Sequence, residues 1–340
     1  MSVASLDAAG GGAREAASGA RISRAALGQG ALAGAAGAAW LGFAVLTLRW
    51  PDVGEWGRGP ELAWAAAAFG AALVAAGLFG FLAPAVAKRL RRSTPWFLAL
   101  GLFFTLWQAT TAKWAVLPQP FFPPPHALLE VFLDDWPKLG EGVVASIKLE
   151  LLGFLAGAGA GFTIGVLLGV SKGFGYWAHP LMRLIGPLPS IAWLPIAFFA
   201  FPSSWSASIF LIGLTTAFPV AILTWSGVAG VNPAYYDVAR TLGASRAFLI
   251  FKVAIPAALP HVFVGLFMGL GASFAVLVTA EMMGVKAGLG FYLQWAQGWA
   301  AYANMYAALL VMSLMCSGFV TILFRLRDRL LSYQKGDVQW

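Results

Sequence analysis

Apolar residues run along this chain in long stretches separated by short polar ones, and that pattern predicts membrane-spanning helices. Crossing a hydrocarbon core takes about 20 apolar residues. Eight segments are candidates: 31–48, 62–87, 96–117, 143–170, 180–201, 206–228, 257–284 and 302–324. The expected fold class is therefore all-α, a polytopic membrane protein of about eight transmembrane helices. Pro187, Pro189 and Pro195 interrupt the fifth segment. Such breaks survive in a membrane only where protein or a water-filled cavity satisfies the freed backbone groups. The first apolar run carries a basic flank, as a signal peptide does. At 18 residues, with no clear cleavage site before Arg49, it reads as a signal anchor. The proline-rich stretch 118–125 predicts a stiff extended linker, leading into an amphipathic segment at 127–139.

Composition agrees with the pattern. Sixty per cent of residues are hydrophobic and 11% charged, whereas an ordinary soluble domain has about a quarter of its residues charged. Lipid is the expected solvent for much of the surface. The net charge of +8 raises nucleic acid as a partner, but the basic residues do not form one stripe. They alternate with the spans instead. Arg14, Arg21 and Arg24 precede the first, and Lys88, Arg89, Arg91 and Arg92 follow the second. Lys172 and Arg183 follow the fourth, Arg240, Arg246 and Lys252 the sixth, and Arg325, Arg327, Arg329 and Lys335 the eighth. By the positive-inside rule both termini and the loop after the sixth span are cytoplasmic.

Reaction chemistry is missing from the motif inventory. There is no Gly-Lys dipeptide, hence no phosphate-cradling P-loop. His126, His179 and His261 are too dispersed for a zinc site, no Gly-x-Ser-x-Gly elbow occurs, and Cys316 is the only cysteine. No catalytic residue, metal ligand or cofactor is expected on this chain. Gly153, Gly157, Gly161, Gly165 and Gly169 recur at four-residue spacing through the fourth span. They form a groove without side chains that admits a neighbouring helix, expected to lie in the same subunit and not at a dimer seam. Lys148 and Glu150 fall in the first turns of that span as predicted, and are expected as an interfacial pair with the lysine snorkelling to water. Glu281, near the outer end of the seventh span, either caps a cavity or meets an outer loop. The proline-broken segment with Ser190 and Trp193 is the candidate pathway lining, or else a kinked packing helix; Thr215, Thr216 and Glu281 complete the set of candidate pathway residues.

The longest strongly polar interruption is 237–256, Asp-Val-Ala-Arg-Thr-Leu-Gly-Ala-Ser-Arg-Ala-Phe-Leu-Ile-Phe-Lys-Val-Ala-Ile-Pro. Asn232 and Pro233 predict a helix start, Gly243 a left-handed helix end, and Ser245 the cap of a second short helix, which Pro256 and Pro260 would end or bend. Ala239 and Gly243 leave one face nearly bare, open to a docking surface. As an amphipathic element the loop could also lie on the membrane, but Val238, Leu242, Phe248 and Phe251 are interleaved with Asp237, Arg240 and Arg246.

Asp237-Val238-Ala239, Gly243 and the Val253/Ile255/Pro256 ending resemble the "EAA" loop of ABC-importer permeases, with Asp for the usual Glu and Val for the first Ala. The 187–195 segment, Pro-Leu-Pro-Ser-Ile-Ala-Trp-Leu-Pro, and the 280–292 stretch, Ala-Glu-Met-Met-Gly followed by Gly-Leu-Gly-Phe-Tyr, are similar to the nitrate/sulfonate/taurine/bicarbonate branch of that family. The resemblance covers about 96–332. It implies a six-helix type I permease core at 96–332 with its coupling loop at 231–256. Two additional N-terminal helices at 30–95 and cytoplasmic tails at 1–29 and 333–340 complete the expected organisation. It also implies an inner-membrane importer subunit working by alternating access on a small solute, such as nitrate, bicarbonate, a sulfonate or taurine. The implied partners are a cytoplasmic ABC ATPase dimer that carries ATP and Mg, an extracytoplasmic substrate-binding protein, and a second permease copy. Asp237, Ala239, Arg240, Gly243, Ala244, Arg246 and Pro256 would couple it to the ATPase. A secondary transporter or channel driven by an ion gradient is the competing expectation.

Overall fold

The computed structural model describes residues 31–54, 56–79, 84–186 and 188–332. The expected tails at 1–29 and 333–340, together with Pro187, lie outside the described residues. Among the described residues there are helices and turns but no strand. The chain divides into two compact units between Asp134 and Asp135.

In the first unit, α1 (Ala31–Arg49) and α2 (Gly59–Phe79) are long apolar helices. They touch where Gly37 and Gly70 leave each backbone bare to the other. α3 (Pro84–Gln108) runs parallel to α1, with Trp40 Nε1 donating to the Phe97 carbonyl and Phe43 packed on Phe104. Residues Ala109–Lys113 continue it as a π turn, and α4 (Pro125–Asp134) follows. Trp40, Phe43, Phe69 and Phe104 fill the space between helices with edge-on and tilted ring contacts. The end of this bundle is closed by a buried polar knot. Lys113 Nζ lies 2.8 Å from Asp52 and donates to the carbonyls of Thr47 and Trp50. His126 is fully buried against Gln108, and burial holds its pKa below the ordinary imidazole value.

The second unit is built on α5 (Trp136–Val170), α8 (Ser204–Ala229) and α11 (Ile255–Met283). The glycine stripe of α5 explains why. Gly153, Gly157, Gly161, Gly165 and Gly169 meet Ile212, Gly213, Ala217, Thr224 and Val228 in the same order, and a Cβ on any of the five would overlap its neighbour. α5 and α8 therefore run parallel at backbone-to-backbone distance, a contact only side-chain-free positions allow. α11 returns antiparallel, its Gly265 and Gly269 against Val220 and Thr216.

Two parallel neighbours require the chain between them to recross the bundle. α6 (Lys172–Ile185) starts back along α8, with His179 on Trp225 and Gly186 against Phe218 at half height. A 90° bend follows. The 3-10 turn Ser190–Trp193 and α7 (Leu194–Ala200) then carry the chain to the start of α8, where Phe201 packs on Phe210. The bent pair is a broken span. α12 (Leu289–Gly298) is a short helix at the end where α5 and α8 begin, and α13 (Tyr302–Leu330) runs antiparallel to α11.

Among the described residues six helices are long and apolar enough to cross a membrane by length and composition, or seven with the bent pair; the sequence pattern has eight apolar segments over the whole chain. The segment 96–117 falls outside that set. Its helix begins at Pro84, carries Lys88, Arg89, Arg91 and Arg92, and loses α-helical register at Ala109. A second difference concerns Lys148 and Glu150. Helix α5 starts at Trp136, seven residues before the expected span, so both residues lie deep within it. Lys148 is exposed, but Glu150 is 0% exposed and is no interfacial snorkelling partner.

Candidate functional site

The two ends of the second unit carry the candidate surfaces. At the end where α8 leaves the bundle, Asn232 Oδ1 accepts from the Ala234 N–H at 3.0 Å and Pro233 takes the first turn of α9 (Pro233–Thr241). This satisfies one donor that a helix start leaves open. Gly243 ends the helix at φ +78°, and nothing lies within 4 Å of where its side chain would project. Ser245 Oγ then accepts from the Phe248 N–H and starts α10 (Arg246–Phe248).

From there the chain does not end at the prolines, the first of the two outcomes expected of them. Leu249–Ala254 form a π segment in which the Ile255 N–H reaches back five residues to Ile250. The helix passes through Pro256, whose missing N–H falls in the first turn of α11 where none is needed, and continues past Pro260. A groove of about 1010 Å³ runs between α9 and this segment, with Ala239, Gly243 and Ala244 beside the apolar Val238, Leu242 and Phe248, and Pro256 at its inner edge. Leu242 is 82% exposed and Phe251 66%. Asp237 and Arg240 pair with each other at 3.3 Å on the surface, a contact worth little in water. Arg246 and Lys252 are further cations of the same loop. Of the seven residues singled out from the sequence, six lie on α9, α10 and the turn between them, and Pro256 opens α11; Asp237, Arg240, Gly243 and Arg246 are exposed, and Ala239, Ala244 and Pro256 are half-buried.

At the other end, a cavity of about 760 Å³ is lined by Trp136, Glu141 and Lys148 of α5, Trp205 of α8, and Glu281. The Glu281 side chain is 1% exposed and spends its oxygens on a clamp. Ser146 Oγ donates to Oε1 at 2.6 Å, and the Gly290 N–H donates to Oε2 at 2.8 Å. Ser146 in turn accepts from the Leu289 N–H. The open N–H groups at the start of α12 are thus capped by α5 and α11 together. Gly288, at φ +107°, is required because a Cβ there would overlap the carboxylate, and Gly284 because one would strike the Phe198 ring. The Ala-Glu-Met-Met-Gly and Gly-Leu-Gly motif is a structural lock. A second pair repeats it deeper between the same helices, Ser273 of α11 donating to Glu150 Oε1 of α5.

The remaining pathway candidates do not border that cavity. Ser190 and Trp193 sit in the 3-10 turn beside the broken span, partly exposed. Thr216 is buried in the α8–α11 seam with its hydroxyl donated to Ile212, and Thr215 donates to Leu211. Lys148 and Trp205 are cavity residues that hydrophobic patterning did not find. Nothing local marks them, since their placement follows from where α5 starts and how α8 packs. Among the described residues no cluster of His, Cys, Asp and Glu could hold a metal ion.

Comparison with known proteins places this arrangement. The family described as binding-protein-dependent transport system inner membrane component matches residues 161–332. The nitrate import permease protein NrtB of Leptolyngbya laminosa is 30% identical over 257 residues, covering 72% of this chain and 88% of the relative. The taurine transport system permease protein TauC of Escherichia coli is 30% identical, covering 71% and 89%. The bicarbonate transport system permease protein CmpB of Synechococcus elongatus is 32% identical, covering 56% and 66%.

Proposed function

The chain belongs to the family of binding-protein-dependent transport system inner membrane components, and from that premise we propose that it forms the solute pathway of an ATP-driven importer. Subunits of this family are non-catalytic transport permeases, with ATP hydrolysis on a separate subunit, and they generally need no cofactor. The observation that carries the proposal is the loop from Asn232 to Pro256. It is an exposed, apolar, glycine-ended element fixed to the end of a bundle whose helices touch backbone to backbone. α9 is linked to α8 through the turn at 230–232 and to α11 through the Leu249–Ala254 segment, the two routes by which force on it would reach the bundle.

In this reading two permease copies enclose the pathway, and a cytoplasmic ATPase pair docks on the loop groove. A binding protein delivers solute to the end bearing the 760 Å³ cavity. Both termini and the loop lie on the cytoplasmic side of the inner membrane in this reading, which the distribution of basic residues supports. ATP binding then selects between inward- and outward-open packings; moving such an equilibrium from 1:99 to 99:1 takes about 5.5 kcal/mol. The named relatives point to nitrate, bicarbonate, a sulfonate or taurine as the solute class.

Gly243→Arg tests the docking. Its side chain projects into open space but an arginine backbone is strained at φ +78°, so the expected result is an inserted, modestly destabilised protein that no longer co-purifies with the ATPase and imports nothing. Gly243→Asn, the residue that best tolerates positive φ, should keep both. Undiminished uptake by Gly243→Arg would sink the proposal. One observation favours the ion-driven alternative: Glu150 is an acidic side chain buried within a membrane span, and its Oε2 has no hydrogen-bond partner among the described residues. Uptake that persists without ATP and collapses with an uncoupler would establish that alternative.

A further inference from the structure

α11 and α13 leave a groove between them near the end that carries the loop, of about 350 Å³. Phe263, Val264 and Phe267 of α11 form one wall, and Leu323, Phe324 and Arg327 of α13 the other. The Phe267 and Phe324 rings meet at a tilt with centroids 5.4 Å apart, and the Arg327 guanidinium lies 4.7 Å from the centre of the Phe324 ring. Both helices cross the membrane, and Val264 and Phe267 are exposed on their outer faces. A groove open to hydrocarbon does not stand empty, so its occupant is an acyl chain. What the side chains add is a selection at the head. Arg327 Nε and Nη2 are shared with Asp328 at 3.1 and 2.9 Å, which leaves Nη1 outside that pair. Arg325, Arg327 and Arg329 outnumber the single acid three to one over the last two turns of α13, and guanidinium matches phosphate geometry.

We propose that this groove binds one chain of an anionic phospholipid, with the lipid phosphate held by Arg327. Basic sites at the ends of spanning helices attract acidic headgroups; here an apolar slot lined by Phe263, Phe267 and Phe324 fixes where the lipid sits. Because the groove walls flank the first turns of α11, the lipid lies directly behind the Asn232–Pro256 loop. The proposal needs only the membrane-spanning character of α11 and α13, not the identity of the solute or the energy source.

The test is native mass spectrometry of the full chain extracted from bilayers of equal phosphatidylglycerol and phosphatidylcholine. The wild type should retain the anionic lipid over the neutral one by about fivefold, the weight of one juxtamembrane basic charge. Arg327→Gln should reduce the ratio to that of the bilayer. Arg329→Gln, some 200° around the helix by its 100° per residue, should leave it unchanged. Phe267→Trp, which fills the slot and removes no charge, should release the lipid. Equal loss in Arg327→Gln and Arg329→Gln would mean diffuse attraction and overturn the site. Displacement of the bound lipid by inorganic phosphate alone would do the same, since the apolar slot would then contribute nothing.

Discussion

The two ends of the second unit are built by opposite rules. Where α5 and α8 begin, polar side chains are buried and paired across helices: Ser146 with Glu281, Glu281 with the α12 backbone, and Asp135 with Tyr292 and Asn304. Where α8 ends, the Asn232–Pro256 loop shows its apolar side chains to the surroundings and pairs its charges only locally. A burial-driven fold would do the reverse, hiding Leu242 and Phe251 and leaving Glu281 and Asp135 wet. The difference teaches that the first end is held by the chain itself, whereas the second leaves apolar side chains uncovered by the chain, where the proposed partner docks. The glycine seam of α5 and α8 joins the two and makes them one mechanical body.

Breaking that seam should have the largest effect. A leucine at Gly157 would drive side-chain atoms into the Gly213 backbone, which cannot move aside as a side chain can. Overpacking of this kind costs about 3 kcal/mol or more, so Gly157→Leu should yield no folded protein by size-exclusion in detergent. Gly159, two residues away, meets nothing within 4 Å, and Gly159→Leu should melt like the wild type. Equal behaviour of the two would contradict the parallel α5–α8 contact.

The clamp comes next. Glu281→Ala leaves the Gly290 N–H and the Ser146 hydroxyl without their acceptor in a buried place, at a cost of about 1–3 kcal/mol. Hydrogen exchange at Leu289 and Gly290 should accelerate, while the Asn232–Pro256 loop keeps its exchange rates. Faster exchange in the loop as well would show that the ends are coupled more tightly than the packing implies.

The long apolar spans were legible because lipid enforces a simple rule on composition, and the loop because its caps are local. Asn232, Ser245 and Gly243 act on residues within three or four positions of themselves, so sequence order alone places them. Glu150, Lys148 and Glu281 are different. Their surroundings come from partners 123 to 135 residues distant for the two glutamates, and no periodicity announces such pairs. The start of α5 was also hidden. Trp136 and Pro137 precede a charged turn, and the unbroken helix that buries Glu150 emerges only when α12 supplies Leu289 against Gly142. Likewise the π segment before Pro256 was not foreseen, since a proline reads as a stop until a wider turn is available to absorb it.

The mildest probe of the fixed end is protonation. Asp135 sits just before α5, and burial works to raise its pKa. Hydrogen bonds from Lys138, Tyr292 and Asn304 outweigh that and hold it below its ordinary value of 3.8. The Tyr292 hydroxyl, pushed by burial to about 12, remains a donor to it throughout. A carboxylate whose folded pKa is depressed adds stability that is complete above its unfolded value and is lost as pH falls through the folded one. The junction of α5, α12 and α13 should therefore hold constant down to about pH 4 and loosen below it, read as amide exchange around Tyr292 and Asn304. Asp135→Asn should flatten that dependence, while the Asn232–Pro256 loop, whose Asp237–Arg240 pair is exposed, should show no matching change. Loosening of both ends over the same pH range would mean that acid unfolds the bundle as a whole, and the contrast between a self-held end and a partner-held end would fail.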